Sequence, residues 1–508
     1  MAAAWITECV REVLQITGLT LQYFLLFCAA FLLAYVLLKR SGNLPPYPIG
    51  WVPVLGHLLA LGRAPHLKLT AWRCQYGDVF TVRMGMRDVV VLNGYTAVKD
   101  ALVDRSELFA SRPPIYLLDS ITGFGIDIAG ALWGTEFRQR KRFATTALRR
   151  SLGMKVGTGS IEEKIREEAN CLRNRIADYN GQPFDITHDV TVAVANIICS
   201  MTFGKRYDYE DETFRELLAA ISTVFVELGA GQIISVFPLL RFVPVVNRAG
   251  INALEAVSKI QNVLKEEISR HRERLDRENP RDFLDFCLLE LKKQEQVEGL
   301  TEENALAIAL NIFFAGTHTT AQTLLWSLLY MALNPDMQQK VQRELDAVVG
   351  ESLPTLSNRS QLPYVNACLL EVMRIRHVTP IMIPHATTET VEVQEYVIPE
   401  GTMVLPNLYS VHMDPAYWPD PDRFDPERFL DAERTNVINK PESFLPFGGG
   451  RRGCLGEKLV RMELFLFFST LLQSFTFKTP EGAPPPNTDG VFGVTLTSHP
   501  FQLCAIPR

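Results

Sequence analysis

Of the nine cysteines in the chain, Cys454 has the most specific surroundings: Phe444 to Glu457 reads Phe-Leu-Pro-Phe-Gly-Gly-Gly-Arg-Arg-Gly-Cys-Leu-Gly-Glu. Gly448, Gly449 and Gly450 allow unusual backbone angles and close approach, so amide groups can point at one sulfur. Arg451 and Arg452 precede the cysteine, and an amphipathic helix is predicted from about Glu457 to Ser474. Nearby cations and a helix N-terminus both favour thiolate over thiol. This is how a chain presents one anionic sulfur to a metal while keeping a basic side chain for the anionic edge of a cofactor. A buried cysteine beside a glycine turn is the plain alternative, and it leaves both arginines unexplained. A phosphate-cradling loop would lack its lysine and hydroxyl here. A nucleophilic cysteine needs a paired histidine, a matter the sequence leaves open.

Two further groups of residues carry chemistry. Ala315-Gly316-Thr317-His318-Thr319-Thr320 is a polar patch in an otherwise apolar helical stretch. Small residues there admit another group to the backbone, and hydroxyls bonding into the ladder distort it; a helix-packing notch with satisfied threonines reads the same way. Glu371 and Arg374, at i and i+3, share one helix face among Cys368, Leu369, Leu370, Val372 and Met373. Apolar neighbours predict burial, where both charges need more partners, and Arg428 in the loop Phe424 to Phe429 is a third member of a structural cluster.

The elements that must position these groups follow from periodicity. Thr301 to Leu333 predicts one helix of roughly 50 Å, ended by Asn334-Pro335, long enough to run through a whole domain. Ile161 to Tyr179 and Ile251 to Arg277 alternate apolar and charged residues at helical spacing, and Asp78 to Met84 and Asp88 to Leu92 read as strands around a Gly85 turn. Short β-like pieces return at Glu389 to Val397 and near the carboxyl end, so the body is predicted to be mainly α with small β-sheets at its edges.

Composition bounds the partners. In 508 residues, 51 basic and 57 acidic side chains give a net charge of −6, which excludes a nucleic-acid binder on global charge. Dispersed, odd-numbered cysteines read as reduced thiols facing a cytosol. No charge occurs between Glu12 and Lys39, and Thr17 to Leu38 as a helix would cross about 33 Å. Lys39 and Arg40 follow at once, so the positive-inside rule puts everything after residue 40 in the cytosol. A cleaved signal peptide would have a basic start, a shorter apolar stretch and a small-residue cleavage site. The proline-rich Leu44 to Gly50 cannot continue a helix and acts as a stiff hinge.

Together these motifs carry a resemblance. Phe447 to Glu457 resembles the haem-thiolate signature of the cytochrome P450 superfamily, and Ala315-Gly316 with Thr319, Glu371 with Arg374, and Pro426-Glu427-Arg428-Phe429 agree in order. The anchor and hinge resemble the microsomal type, which divides the chain into a 1–40 membrane anchor and a single 41–508 catalytic domain. Pro384-His385, Ser327 to Asp336, Asp276 to Phe283 and Met462 to Phe477 are similar to animal family 2 members that hydroxylate long-chain fatty acids.

What the resemblance implies is specific. Cys454 is the proximal ligand of a haem b iron, and thiolate donation favours O–O cleavage. Gly316, beside Ala315, makes room for dioxygen, and Thr319 helps deliver protons. Electrons come from NADPH through a separate flavoprotein reductase, with cytochrome b5 as a second donor. Arg452, His385 and Arg112 are placed to meet the haem propionates. The usual tryptophan-plus-arginine pair is replaced by Phe137-Arg138 with Lys141, so Arg138 and Lys141 are expected in the same role. His318 stands where the family has an acid. It could shuttle protons, swing aside, approach the iron or face outward in a polar groove.

Position around the motifs gives an apolar pocket of Ile115, Leu117, Leu118, Phe124, Ile312, Phe313, Val378, Ile381, Ile383 and Phe492, fit for a lipophilic substrate. The acid-free run Arg138, Arg140, Lys141, Arg142, Arg149 and Arg150 is a docking face for an acidic reductase. Gly229 to Pro244, whose only charge is Arg241, is a candidate to dip into lipid of the endoplasmic reticulum membrane. The competing readings are a reductase-independent haem-thiolate isomerase of hydroperoxides and a non-catalytic haem-based ligand binder.

Overall fold

Period-2 and period-3.6 stretches separate cleanly in space. The computed structural model describes Glu8 and residues 22–30, 44–153, 160–294, 300–438 and 441–508. Val79–Met84 (β1) and Arg87–Leu92 (β2) form an antiparallel hairpin that pairs Val79 with Leu92 and turns at Gly85, φ 62°. Across the chain, His385–Ala386 (β3), Val391–Val393 (β4), Tyr396–Ile398 (β5) and Met403–Pro406 (β6) supply the rest of the β structure before the cysteine loop. β6 joins β2 in parallel and β3 closes the sheet in the order β1-β2-β6-β3, while β4 and β5 pair separately. Val89, Val90, Val91 and Leu92 are fully buried, as a strand covered on both faces requires.

The helical body contains Thr135–Gly153 (α1), Ile161–Ala177 (α2), Thr187–Thr202 (α3), Glu212–Ala230 (α4), Arg248–Glu273 (α5), Glu302–Leu333 (α6), Pro363–Ile375 (α7) and Glu457–Ser474 (α8). A Ser160/Glu163 capping box starts α2, and a Thr301/Asn304 box starts α6. The 32 residues of α6 make a rod about 48 Å long. Ala321 to Met331 on it is buried throughout, so it runs through the core, packed on α3 and α8. After α8, Phe475–Lys478 (β7) pairs with Cys504–Pro507 (β10), and between them Val491–Phe492 (β8) and Leu496–Thr497 (β9) form a tight hairpin.

The predicted anchor Thr17 to Leu38 lies largely outside the described residues. Its described part, 22–30, is helical, with Tyr23, Phe24, Leu25, Leu26 and Phe27 exposed. Among the described residues no helix is long and apolar enough to cross a membrane. All described cysteines are free thiols.

Candidate active site

The cysteine loop is clamped before it reaches the sulfur. Gly450 has φ +60°, and a Cβ there would sit 1.8 Å from the Leu102 carbonyl in a π-helical turn at Asp100–Asp104. The Cys454 amide donates to Phe447 O at 3.0 Å, which folds the loop back on itself. Gly456 then caps α8, and the amides of Gly456 and Glu457 point at the Cys454 sulfur. Phe447 lies under the Arg461 guanidinium, 4.7 Å from its ring centre.

The Cys454 side chain keeps accessible surface, yet burial pushes its thiol up, so it faces an internal opening. The sequence pointed to a thiol lowered by cations and a helix start. Instead, desolvation outweighs the two amides and Lys141.

Buried positive charge collects beside it. Arg452 donates to the carbonyls of Ala110 (2.7 Å), Ile128 (2.9 Å) and Ala131 (2.5 Å), with its guanidinium carbon 3.8 Å from the Phe137 ring centre. Arg112 donates to Ala129, Ile383 and Pro384 carbonyls. Burial and the neighbouring Arg452 hold Arg112 down to about 9, and burial holds Arg452 to about 10. His385 binds the Phe109 carbonyl through Nδ1 at 2.7 Å, while its buried Nε2 has no partner. Two guanidiniums that repel each other, with the carboxylate of Asp127 facing both, and an unpartnered imidazole nitrogen make a site that suits an anion.

Opposite in role, the middle of α6 opens. Ala315 is exposed in a helix otherwise sunk in the core. Thr319 Oγ1 donates to Ala315 O at 2.6 Å, Thr323 to Thr319 O and Ser327 to Thr323 O, a run of hydroxyls bonded one turn back. Gly316 departs from expectation: a Cβ on it would meet Ile198 Cδ1 at 2.6 Å, so this glycine serves the approach of α3, and Ala315 presents the small surface to the open side. His318 has swung aside. It stacks on Phe225 of α4 (4.2 Å, 19°) and bonds Thr495 Oγ1 at 3.0 Å, and burial lowers it to about 4. Neutral at physiological pH and held between two walls, it is not placed as a replacement acid.

The profile of the family described as Cytochrome P450 matches residues 45–505. The chain belongs to the cytochrome P450 family. It is 39% identical to cytochrome P450 2D4 of Rattus norvegicus over 97% of this chain and 99% of the relative. It is 37% identical to cytochrome P450 2U1 of Homo sapiens, covering 92% and 89%. It is also 39% identical to a vitamin D(3) 25-hydroxylase of Sus scrofa, covering 97% and 99%. The family is one of haem monooxygenases, so the protein is an oxidoreductase that uses a cysteine-ligated haem, dioxygen and electrons.

The donor set fits that cofactor: one accessible cysteine with two aimed amides, an unpartnered His385 Nε2, and the guanidiniums of the buried Arg112 and the half-buried Arg452 for carboxylates. Arg138 does not join them. It is exposed, over the Trp133 ring at 5.7 Å, because its turn of α1 faces outward. Lys141 binds the Arg451 carbonyl and stands near Cys454. Of the expected basic docking face, Arg138, Arg142, Arg149 and Arg150 are exposed, but Arg140 is buried against Glu136 and the Gly125 carbonyl.

Away from the opening, Arg374 donates from Nε and Nη2 to the two oxygens of Glu371, both at 2.7 Å, and to His412 O. Arg428 Nε and the Asp425 amide also reach Glu371 Oε1, at 3.1 and 2.9 Å. The fully buried pair ties α7 to the loop at Pro426–Phe429.

The structure departs from the pocket expectation at three positions. Leu117 and Phe313 are fully buried in the helical core and present no surface to a cavity. Ile381 is half-buried against the sheet cluster, its backbone bridged to Asn407, and keeps accessible surface. Phe124 is 74% exposed at a turn where Gly123, Phe124 and Gly125 all have positive φ. Ile115, Leu118, Ile312, Val378, Ile383 and Phe492 keep accessible surface. Sequence reading passed over Asp127, a buried carboxylate that accepts from Gly130 N at 2.9 Å and faces both Arg112 and Arg452. It passed over Asn311 too, which holds the amides of Ile128 and Ala129 against α6. The lone charge in the stretch Phe124 to Trp133 was the signal for the first.

Proposed function

We propose that the protein is a membrane-anchored monooxygenase that inserts one oxygen atom into a lipophilic substrate, with long-chain fatty acids as the leading class. The carrying observation is the accessible Cys454 sulfur with its aimed amides, beside the buried Arg112, the half-buried Arg452 and the unpartnered His385 Nε2. Cys454 binds the iron; Arg112, Arg452 and His385 hold the propionates. When bound, the haem supplies the oxidising chemistry, in which substrate, dioxygen, two electrons and two protons give an alcohol and water.

The chain's residues do the rest. Thr319 holds a proton at Oγ1 on the Ala315 carbonyl, and its lone pairs remain free to accept from the open side. Ile115, Leu118, Ile312, Val378 and Phe492 exclude water from an apolar space. Electrons come from NADPH through a flavoprotein reductase that docks on Arg138, Arg142, Arg149 and Arg150, with cytochrome b5 as a second donor. Thr17 to Leu38 anchors the chain in the endoplasmic reticulum membrane with residues 41–508 on the cytosolic side. The exposed Leu239, Phe242, Val243 and Val245 support a second, shallower contact with lipid.

The deciding measurement is the spectrum of the reduced carbon-monoxide complex. A red-shifted thiolate band is expected in the wild type and not in Cys454→Ala; an unchanged band would remove the assignment. Product formation that requires NADPH and reductase separates this reading from turnover of a hydroperoxide alone.

A further inference from the structure

Arg376, two residues beyond Arg374, is charged where its neighbours are aromatic. Its guanidinium carbon lies 5.8 Å from the ring centres of both Trp326 and Tyr330. Nη1 donates to the Ile375 carbonyl at 2.9 Å, but Nε is buried with no partner, and no described carboxylate forms an ion pair with the side chain. A guanidinium carries five N–H donors, and a buried donor left without an acceptor is unfavourable. His66 stands within electrostatic reach of Arg376. It stacks on Phe492 (5.1 Å, 22°), meets Tyr409 edge-on (4.9 Å, 75°), and its own Nδ1 is buried without a partner. Burial and the Arg376 charge lower His66 to about 4, so it stays a neutral hydrogen-bonding group. Four aromatic side chains thus surround a guanidinium Nε and an imidazole Nδ1 that have no hydrogen-bond partner.

We propose that Arg376 and His66 form an anion subsite that holds the carboxylate of a long-chain acid. A planar carboxylate matches the guanidinium fork and takes charge-assisted bonds that the aromatic rings cannot offer. The acid must be long because of where the subsite stands. Trp326 follows Thr319 by seven residues, which puts both on one face of α6 about 10 Å apart along its axis. The β8–β9 hairpin reaches both places: Phe492 lies on His66, and Thr495 bonds His318, the neighbour of Thr319. The Leu496 amide donates to the Val378 carbonyl at 2.8 Å, which ties the hairpin to the segment that follows Arg376. A carboxylate fixed at Arg376 therefore directs its alkyl chain toward Thr319. This deepens the monooxygenase reading and rests on it for the destination of the chain.

The test is calorimetric binding of hexadecanoate and hexadecan-1-ol to the full-length, haem-loaded protein. The wild type is expected to prefer the acid by about tenfold or more. Arg376→Gln should abolish that preference while leaving alcohol affinity in place. His66→Phe, which keeps the stack, should reduce it in part. Arg376→Lys keeps the charge, guards against a folding defect, and should retain a preference for the acid. Equal affinity for acid and alcohol in the wild type, or parallel weakening of both in Arg376→Gln, overturns the subsite. An Arg376-dependent acid preference with no oxygenated product under NADPH and reductase would leave the subsite standing and overturn the monooxygenase reading. Turnover of the alcohol with no acid preference would do the reverse.

Discussion

The guanidinium carbon of Arg452 rests 3.8 Å from the centre of the Phe137 ring, and its nitrogens spread to three carbonyls from the segment 110–131. The ring fixes the plane of the guanidinium proposed to meet the cofactor. Phe137→Ala should lower the haem-to-protein ratio of purified enzyme and destabilise it by about 3–5 kcal/mol, while Phe137→Trp keeps the stack and the occupancy. Full occupancy in Phe137→Ala would show that the three carbonyls suffice.

Glu371 takes four hydrogen bonds in a site without solvent. Removing one partner strands a charge, so Arg374→Leu is expected to lose about 3–5 kcal/mol in a denaturant titration. A midpoint within error of wild type would mean that the cluster is dispensable.

Gly316 and Ile198 form a testable pair. Gly316→Ala puts a methyl 2.6 Å from Ile198 Cδ1 and should destabilise the protein by about 1–3 kcal/mol. Ile198→Val removes that carbon, so the double variant should recover most of the loss; additive losses would contradict the contact.

Acid sensitivity follows from the buried imidazoles. His66, His318 and His377 are each lowered to about 4 by burial. Between pH 6.5 and 4 the unfolded chain takes up protons that the folded chain refuses. Stability is therefore complete above about pH 6.5 and falls as pH drops, by about 1.4 kcal/mol per unit for each such histidine. His318→Phe should flatten the slope of melting temperature against pH by one histidine's share. An unaltered slope would mean that His318 is charged in the folded protein.

Reductase docking predicts a salt effect. Arg142→Glu with Arg149→Glu should slow electron transfer at low ionic strength, and the difference from wild type should shrink as salt rises. Equal rates at low salt would place the docking face elsewhere.

Local rules carried much of the fold. Thr301 with Asn304, and Asn334-Pro335, bound the long helix to within a residue, and α8 starts and ends where its apolar rows do. Cys454 was legible because glycines, arginines and a helix start converge within fourteen positions. What sequence could not supply was direction. Gly316 and Ala315 are both small, and only the packing of Ile198 says which faces the opening. Arg138 and Arg452 are both basic, and helix rotation sends one to solvent and the other onto Phe137. Arg376 carried no signal in the sequence, and only the packing sets its guanidinium over Trp326, fifty positions earlier.

The clamp at Gly450 has a consequence for how the enzyme is made. Leu102 and Gly450 must meet for the loop to close, and Arg112 and Arg452, 340 positions apart, come together with His385. A ribosome that has not yet released the last sixty residues holds a chain with neither the Cys454 sulfur nor the Arg452 guanidinium. With the haem held as proposed, its capture waits for that last segment, and truncation near the carboxyl end is expected to abolish cofactor retention before it touches most of the helical body.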